Sequence, residues 1–374
     1  MNENWPEIVE TLIPYFETNS VEGDYQREIE NCLKFLGWKK TNGTMVSQYT
    51  LPIGNSNSIR PDIVLWRKNE HDTQSPGILI EGFIYGIMVL GVFMTFRVLN
   101  FCDMTVDGSF PMGACILAAC LMHGISPYCA LLIAFCGGAV AGLFTTLIYS
   151  KLRIPDLLAG ILVMTMLYSV NLRIMSNHAN VSFLRLNTIF KSLSGAFPAA
   201  GDWSIVIFIA VFVAILTFLL NTFFSTDFGL TMGALGSNPQ MVISQGVDPR
   251  FVRAVGICLG DAMAALSGAM FAMYQGFADV GSGTGVVVSG LASLMLGEFL
   301  IRSNKIGWQT FRVILGSILY RALMYVARRY GSVIGLGPND LKLITGLLII
   351  VCLIISKTNI SAYFKEHLKR PSVS

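Results

Sequence analysis

The pattern of hydrophobic and polar positions changes character near residue 77. Before it, short apolar stretches alternate with charge. Glu7 to Phe16 has helical periodicity. Asp24 to Leu36 predicts a second helix, with Ile29, Leu33 and Leu36 on one face and Gly37 as its stop. Strand-like runs follow at Met45 to Leu51, Ile63 to Trp66 and Ile78 to Ile80. The polar run from Asn69 to Gly77 closes this part and ends in Pro-Gly. Beyond it the apolar runs are long enough to cross a bilayer, which takes about 20 residues per helix. Nine spans are predicted, near 78–99, 104–123, 127–149, 157–176, 203–224, 252–275, 285–301, 307–327 and 341–356. Asp107, Gly108 and Pro111 interrupt the second, so a broken helix is expected there. Gly138 with Gly142, and Gly256 with Gly260, carry the four-residue spacing of small residues that lets membrane helices approach closely.

One long loop, Phe228 to Arg253, separates two spans and is too polar to be either of them. Its centre predicts a short capped helix. Asn238 is a capping residue, Pro239 suits the first helical position, and Gly246 suits a left-handed ending. Asp248-Pro249 starts the next helix in the same way. A brief, partly apolar helix between two spans needs a surface to press against, and a separate soluble subunit would supply it.

Composition agrees with the spans. Apolar residues make up 53% of the chain and charged residues 13%, against about a quarter charged in soluble domains. Residues 1–76 hold 7 Lys and Arg against 11 Asp and Glu, net −4, and the remainder is net +7. The eight cysteines show no CxxC pair and read as small buried hydrophobes. The four histidines are scattered, so no metal site is expected. Short-loop charge sets orientation. Lys151 and Arg153, Arg250 and Arg253, Arg302 and Lys305, and Lys357 with Lys365, Lys369 and Arg370 all fall on one side. That side is read as cytoplasmic. Nine spans then put residue 77 outside, at odds with an acidic piece that opens with no apolar export segment. The basic 357–374 tail is expected at the inner membrane surface.

Several stretches resemble a known family. Arg97 to Ala114 (RVLNFCDMTVDGSFPMGA) looks like the signature of branched-chain amino-acid and ribose-type ABC importer permeases. Ile154 to Met175, Ala234 to Met241, Tyr274 to Gly281 and Pro338 to Thr345 resemble the subgroup of tryptophan/tyrosine transport permeases. The likeness covers nearly all of 78–356. It implies a bacterial inner-membrane, multi-pass permease that carries an amino acid, with an aromatic one in view. It implies three partners: an ABC ATPase subunit, a periplasmic or lipoprotein solute-binding protein, and a second permease copy. It also implies that the long loop is the coupling helix, with Gly236, Ser237, Asn238, Pro239, Gln240, Met241 and Gly246 at the ATPase contact. The chain has no GxxxxGK[ST] stretch. So no cofactor is expected on it, no enzymatic activity of its own, and ATP with Mg²⁺ belongs to the partner.

Residues 1–81 resemble a truncated N-terminal domain of type I restriction-enzyme R subunits, a PD-(D/E)xK nuclease fold. The resemblance points to Asp62 and Glu81 as the metal-holding acids, but Phe83 stands where the fold places its Lys. The piece is therefore read as inactive, and no nucleic-acid partner is expected.

Charges inside apolar spans are costly and mark candidate translocation residues. These are Asp103, Asp107, Asn171, Asp261, Asp279 and Glu298. For Asp103 and Asp107 the competing reading is helix capping and an ion pair with Arg97. For Asp261 and Glu298 it is a place facing the interior or a pair with a cation. Gly281 to Gly285 reads as a re-entrant turn near an outer gate.

The expected architecture is an all-α polytopic membrane protein of about nine spans, one broken, behind a small N-terminal α/β fragment. Its parts are 1–76, a permease domain at 77–356 and the 357–374 tail. A stand-alone channel or secondary transporter is the alternative, and a membrane-tethered nuclease remnant the third reading.

Overall fold

The computed structural model describes residues 51–53, 57–59, 74–183, 186, 188–196, 202–301, 306–331, 346–347 and 350. The chain divides into two compact units, Met1–Asp72 and Thr73–Ser374. In the first, the described residues form an antiparallel hairpin of β1 (Leu51–Ile53) and β2 (Asn57–Ile59), with Pro52 opposite Ser58. The two helices and the 63–66 strand expected in this unit lie outside the described residues.

The second unit is helical. α1 (Gln74–Val92) runs on as a π-helical turn, Phe93–Val98. Thr95 Oγ1 donates to the carbonyls of Gly91 and Val92 just before that turn, competing with the ordinary ladder. The strand expected at 78–80 is therefore part of a membrane helix, because the apolar run continues without a break into the span. α2 (Val106–Met122), α3 (Pro127–Leu152) and α4 (Asp156–Ile174) follow. Then come β3 (Asn180–Ser182), α5 (Ile189–Ala196) and α6 (Asp202–Phe224). The long loop folds as α7 (Asp227–Ser237) and α8 (Pro239–Ser244). α9 (Pro249–Gln275), β4 (Phe277–Asp279), a 3₁₀ turn (Val280–Gly283), α10 (Val286–Leu300) and α11 (Ile306–Gly331) complete it. Seven of these segments are long and apolar enough to cross a membrane, and α2 is a shorter apolar helix. The ninth expected span, 341–356, falls almost wholly outside the described residues.

α1 and α9 form the centre, with most of their length buried. α3, α4 and α6 expose most of theirs, with Leu132, Val140, Val170, Val211 and Phe218 among the exposed apolar side chains. That is a membrane pattern: the apolar effect does not distinguish protein interior from lipid, so contact is decided by small residues and hydrogen bonds. Gly138 and Gly142 of α3 lie against the α9 backbone at Asp261 and Cys258, and Gly91 of α1 against Gly260. Ser267 Oγ donates to the Ile84 carbonyl at 2.7 Å, and Ser317 Oγ to that of Gly82 at 2.8 Å. Cys115 and Cys120 are buried, as expected for small hydrophobes. Cys129 and Cys136 are not: they sit on the exposed side of α3.

β3 pairs antiparallel with β4, Val181 opposite Ala278. This two-stranded ladder marks the end of the molecule opposite α8, because α9 runs from one to the other. Gly77 lies beside Tyr274 Oη, so α1 begins at the β3–β4 end.

Candidate functional site

The loop between α6 and α9 is ordered by local capping. Thr226 Oγ1 accepts from Gly229 N at 3.2 Å and starts α7. Asn238 Oδ1 accepts from Met241 N at 3.3 Å and starts α8, with Pro239 in the first turn. Gly246 takes φ +79° and turns the chain back. Asp248 Oδ1 then accepts from Arg250 N at 2.9 Å, which starts α9. The short helix centred on Asn238–Gly246 is as the sequence predicts, whereas α7 before it lies in a stretch read simply as polar.

α8 has one anchor and one open face. Val242 is buried, whereas Met241 is 51%, Ile243 55% and Phe251 63% exposed. Ser237, Asn238, Pro239, Gln240 and Gly246 are also exposed, and Gly236 is half-buried. Two large apolar side chains, Met241 and Ile243, are thus exposed on the short α8, with Phe251 exposed at the start of α9. Scattered apolar surface is ordinary, but a contiguous patch marks an interaction site.

Behind this patch lies the break that precedes α2. Residues 99–105 are not helical. The break is gripped from several sides. At Gly236 of α7 a side chain would run into the Val98 carbonyl, so α7 rests directly on the start of the break. Leu99 packs beside Gly256 of α9. Cys102 N donates to Asp156 Oδ2 at 3.0 Å, and the Met104 backbone packs on Gly160, both on α4. The hydroxyls of Thr105 and Thr145 of α3 share a hydrogen bond of 2.8 Å. Phe101 meets Tyr149 of α3 edge-on at 5.3 Å, and Tyr149 Oη accepts from Arg253 Nη1 at 3.0 Å. The loop and the break therefore form one packed unit at the inner end.

Most of the candidate intramembrane polar residues have structural partners. Asp103 accepts from Thr105 N at 2.9 Å, and Asp261 from Ser109 Oγ at 2.7 Å. Asn171 Nδ2 donates to the Gly108 carbonyl at 3.2 Å. All three are buried, so they are enclosed within the bundle and do not line a surface of this chain. Asp107 begins α2 but caps another helix. Its Oδ2 accepts from Gly285 N at 3.0 Å and its Oδ1 from Val287 N at 2.7 Å, at the start of α10. Sequence reasoning could not find this, because 178 residues separate the partners. The pair expected between Arg97 and the acids of the break does not form. Arg97 instead meets Glu298 at 3.0 Å, and Arg312 meets the same oxygen at 3.0 Å. Arg97 lies on the π-helical turn just before the break, which carries it to the α10–α11 corner. Asp279 stands apart, half-buried on β4, with Oδ1 accepting from Gly281 N at 2.9 Å.

Glu81, the second nuclease-like acid, lies within α1 and pairs with Arg321 at 3.9 Å, whose guanidinium lies 3.3 Å from the Tyr85 ring centroid. A strand end beside a metal is not its setting. Asp62 lies outside the described residues. Among the described residues, no group of three or more His, Cys, Asp or Glu side chains is arranged to hold a metal ion.

Known proteins place this arrangement. The family model for the branched-chain amino acid transport system permease component matches residues 76–354. The tyrosine transport system permease protein of Clostridioides difficile (strain R20291) is 38% identical over 284 residues, 76% of this chain and 92% of that protein. The autoinducer 2 import system permease protein LsrC of Salmonella paratyphi B is 27% identical over 217 residues, 56% of this chain and 59% of that protein. Among solved structures, PsaBC from Streptococcus pneumoniae in complex with Fab aligns with a TM-score of 0.45 at 14% identity, covering 77% of this chain and 94% of that one. A multi-pass helical bundle, a capped helix standing free at one end, and a family match across the whole bundle converge: the chain belongs to the permease components of branched-chain amino acid transport systems.

Proposed function

We propose that this chain is the membrane half of an ABC importer for an aromatic amino acid, with tyrosine the first solute to test. A separate ATPase subunit docks on α8, a solute-binding protein delivers at the β3–β4 end, and two permease copies enclose the path. The observation that carries the reading is α8 itself: a capped helix anchored by Val242, with Met241 and Ile243 exposed, following directly on α7, which rests on the break before α2. A helix so placed is a lever. Force on its open face passes through Gly236 and Leu99 to residues 99–105, and from there to α2, α3 and α4. The family match and the 38% identity to a tyrosine transport system permease support both the importer and the solute class.

The test is co-purification of the full chain in detergent with an ABC ATPase subunit from the same organism. The wild-type chain is expected to retain the ATPase, and Gln240→Glu with Ser244→Asp to lose most of it, together with tyrosine uptake. Both residues are exposed, so the bundle remains folded. Unchanged binding and uptake in the double variant would remove α8 from the docking role. Failure of the wild-type chain to bind any ATPase would favour a stand-alone transporter.

A further inference from the structure

The outer part of the α10 crossing is not α-helical. α10 has 15 residues, about 22 Å, against a hydrocarbon core of about 30 Å. The remainder of the crossing is β4 and the turn through Gly285. The depth of that turn follows from its partners. Asp261 sits at the middle of α9, and Ser109 bonds to it. Asp107, half a turn before Ser109, holds Gly285 and Val287, and Gly283 packs on the Asp107 carbonyl and Pro111. The turn therefore reaches the middle of the span. α9 ends at Gln275, about 21 Å beyond Asp261, and β4, which carries Asp279, follows there and packs against α2. Phe277–Gly285 thus descends beside α2 from the outer boundary of the hydrocarbon core to its centre.

Along this descent Gly281, Thr284 and Gly285 are exposed, and so is Val288 at the start of α10. Exposed non-helical backbone at membrane depth is not tolerated against lipid, because nothing there satisfies its polar groups. It occurs where protein buries it or where it borders water. Broken helices that converge at the midplane are also where carriers place their solutes. We propose that Asp279–Gly285 forms one wall of a water-filled outer half of the solute path, with Asp279 near its mouth favouring solutes that carry an ammonium group. A zwitterionic amino acid fits that chemistry. The turn's own hydrogen bonds leave its outer edge open: Asp279 Oδ1 caps Gly281 N, Ser282 Oγ donates to the Asp279 carbonyl, and Thr284 Oγ1 to that of Gly281. The proposal rests on the chain being a solute carrier, and not on which motor drives it.

The test is thiol labelling of the full chain in intact cells, read at each peptide by mass spectrometry so that native cysteines can stay. Thr284→Cys is expected to react with a membrane-impermeant, trimethylammonium-bearing methanethiosulfonate. Val211→Cys, on the exposed side of α6 near mid-span, is expected to resist it. Equal resistance at both positions would place the turn in a dry contact and overturn the proposal. The role of the acid is read separately. Asp279→Asn keeps an oxygen to accept from Gly281 N but removes the charge. It is expected to lower the preference of position 284 for the cationic over the sulfonate-bearing reagent by about fivefold. An unchanged preference would strip Asp279 of its part. Labelling that fails while the ATPase still co-purifies would sink the wall and leave the importer standing. Labelling that succeeds without ATPase binding would do the reverse.

Discussion

Replacing Asp107 separates a structural carboxylate from one that meets solute. Its two oxygens accept from Gly285 N and Val287 N at 3.0 and 2.7 Å, satisfying donors that open α10. Those donors lie at the middle of the span, where water is not at hand to replace the acid unless a path supplies it. An N-cap replaced by Ala costs about 1–2 kcal/mol, and a hydrogen bond to a charged partner about 1.5–3 kcal/mol. Asp107 is only partly buried, so the lower parts of both ranges apply. Asp107→Ala is expected to cost about 2–4 kcal/mol. Asp107→Asn, which keeps one acceptor oxygen, should cost about half of that. At roughly 2 °C per kcal/mol for a unit of this size, the half-aggregation temperature in detergent should fall by about 4–8 °C and 2–4 °C. The assay is heating followed by size exclusion of the fluorescently tagged chain, with tyrosine uptake measured in parallel. If Asp107→Ala aggregates at the wild-type temperature yet abolishes uptake, the carboxylate acts on solute, and its assignment as the cap of α10 is wrong.

Three further outcomes are expected. Gly236→Ala drives a methyl group toward the Val98 carbonyl and should cost about 1–3 kcal/mol of overpacking at the junction of α7 with the break; the chain should still reach the membrane and hold its ATPase, with uptake reduced, and full uptake would show that the junction gives way freely. Glu298→Gln removes the carboxylate shared by Arg97 and the 8%-exposed Arg312, and should destabilise by about 3 kcal/mol, whereas Glu298→Leu with Arg312→Leu should recover most of that; equal aggregation temperatures for all three would show the network to be neutral. The full chain should not cleave DNA with Mg²⁺, since Glu81 sits in a membrane helix beside Arg321; cleavage that disappears in Asp62→Ala would overturn that.

Legibility differed by the range of the interaction. Spans are visible in sequence because lipid imposes a local rule: every backbone polar group must be satisfied within about 20 apolar residues. The predicted 127–149, 203–224 and 307–327 accordingly recur as Pro127–Leu152, Trp203–Phe224 and Gly307–Ala327. α8 was equally legible, since Asn238, Pro239 and Gly246 act on neighbours within a few residues. The interruption at Asp107, Gly108 and Pro111 was visible too, but its place was not: the non-helical segment is 99–105, and those three residues open the helix that follows. The same limit applied to every intramembrane charge. A sequence shows that a carboxylate in an apolar run is costly and needs a partner. It does not show whether the partner is solute, water or protein. Folding brings Ser109 to Asp261, Gly285 to Asp107, and both Arg97 and Arg312 to Glu298, across separations that no local rule spans. The sequence by itself determined a membrane bundle with a helix left free at one end. Tertiary structure decided which polar groups are spent on holding the bundle together, and which, like Thr284, stay exposed, because only the packed chain determines what each buried charge can reach.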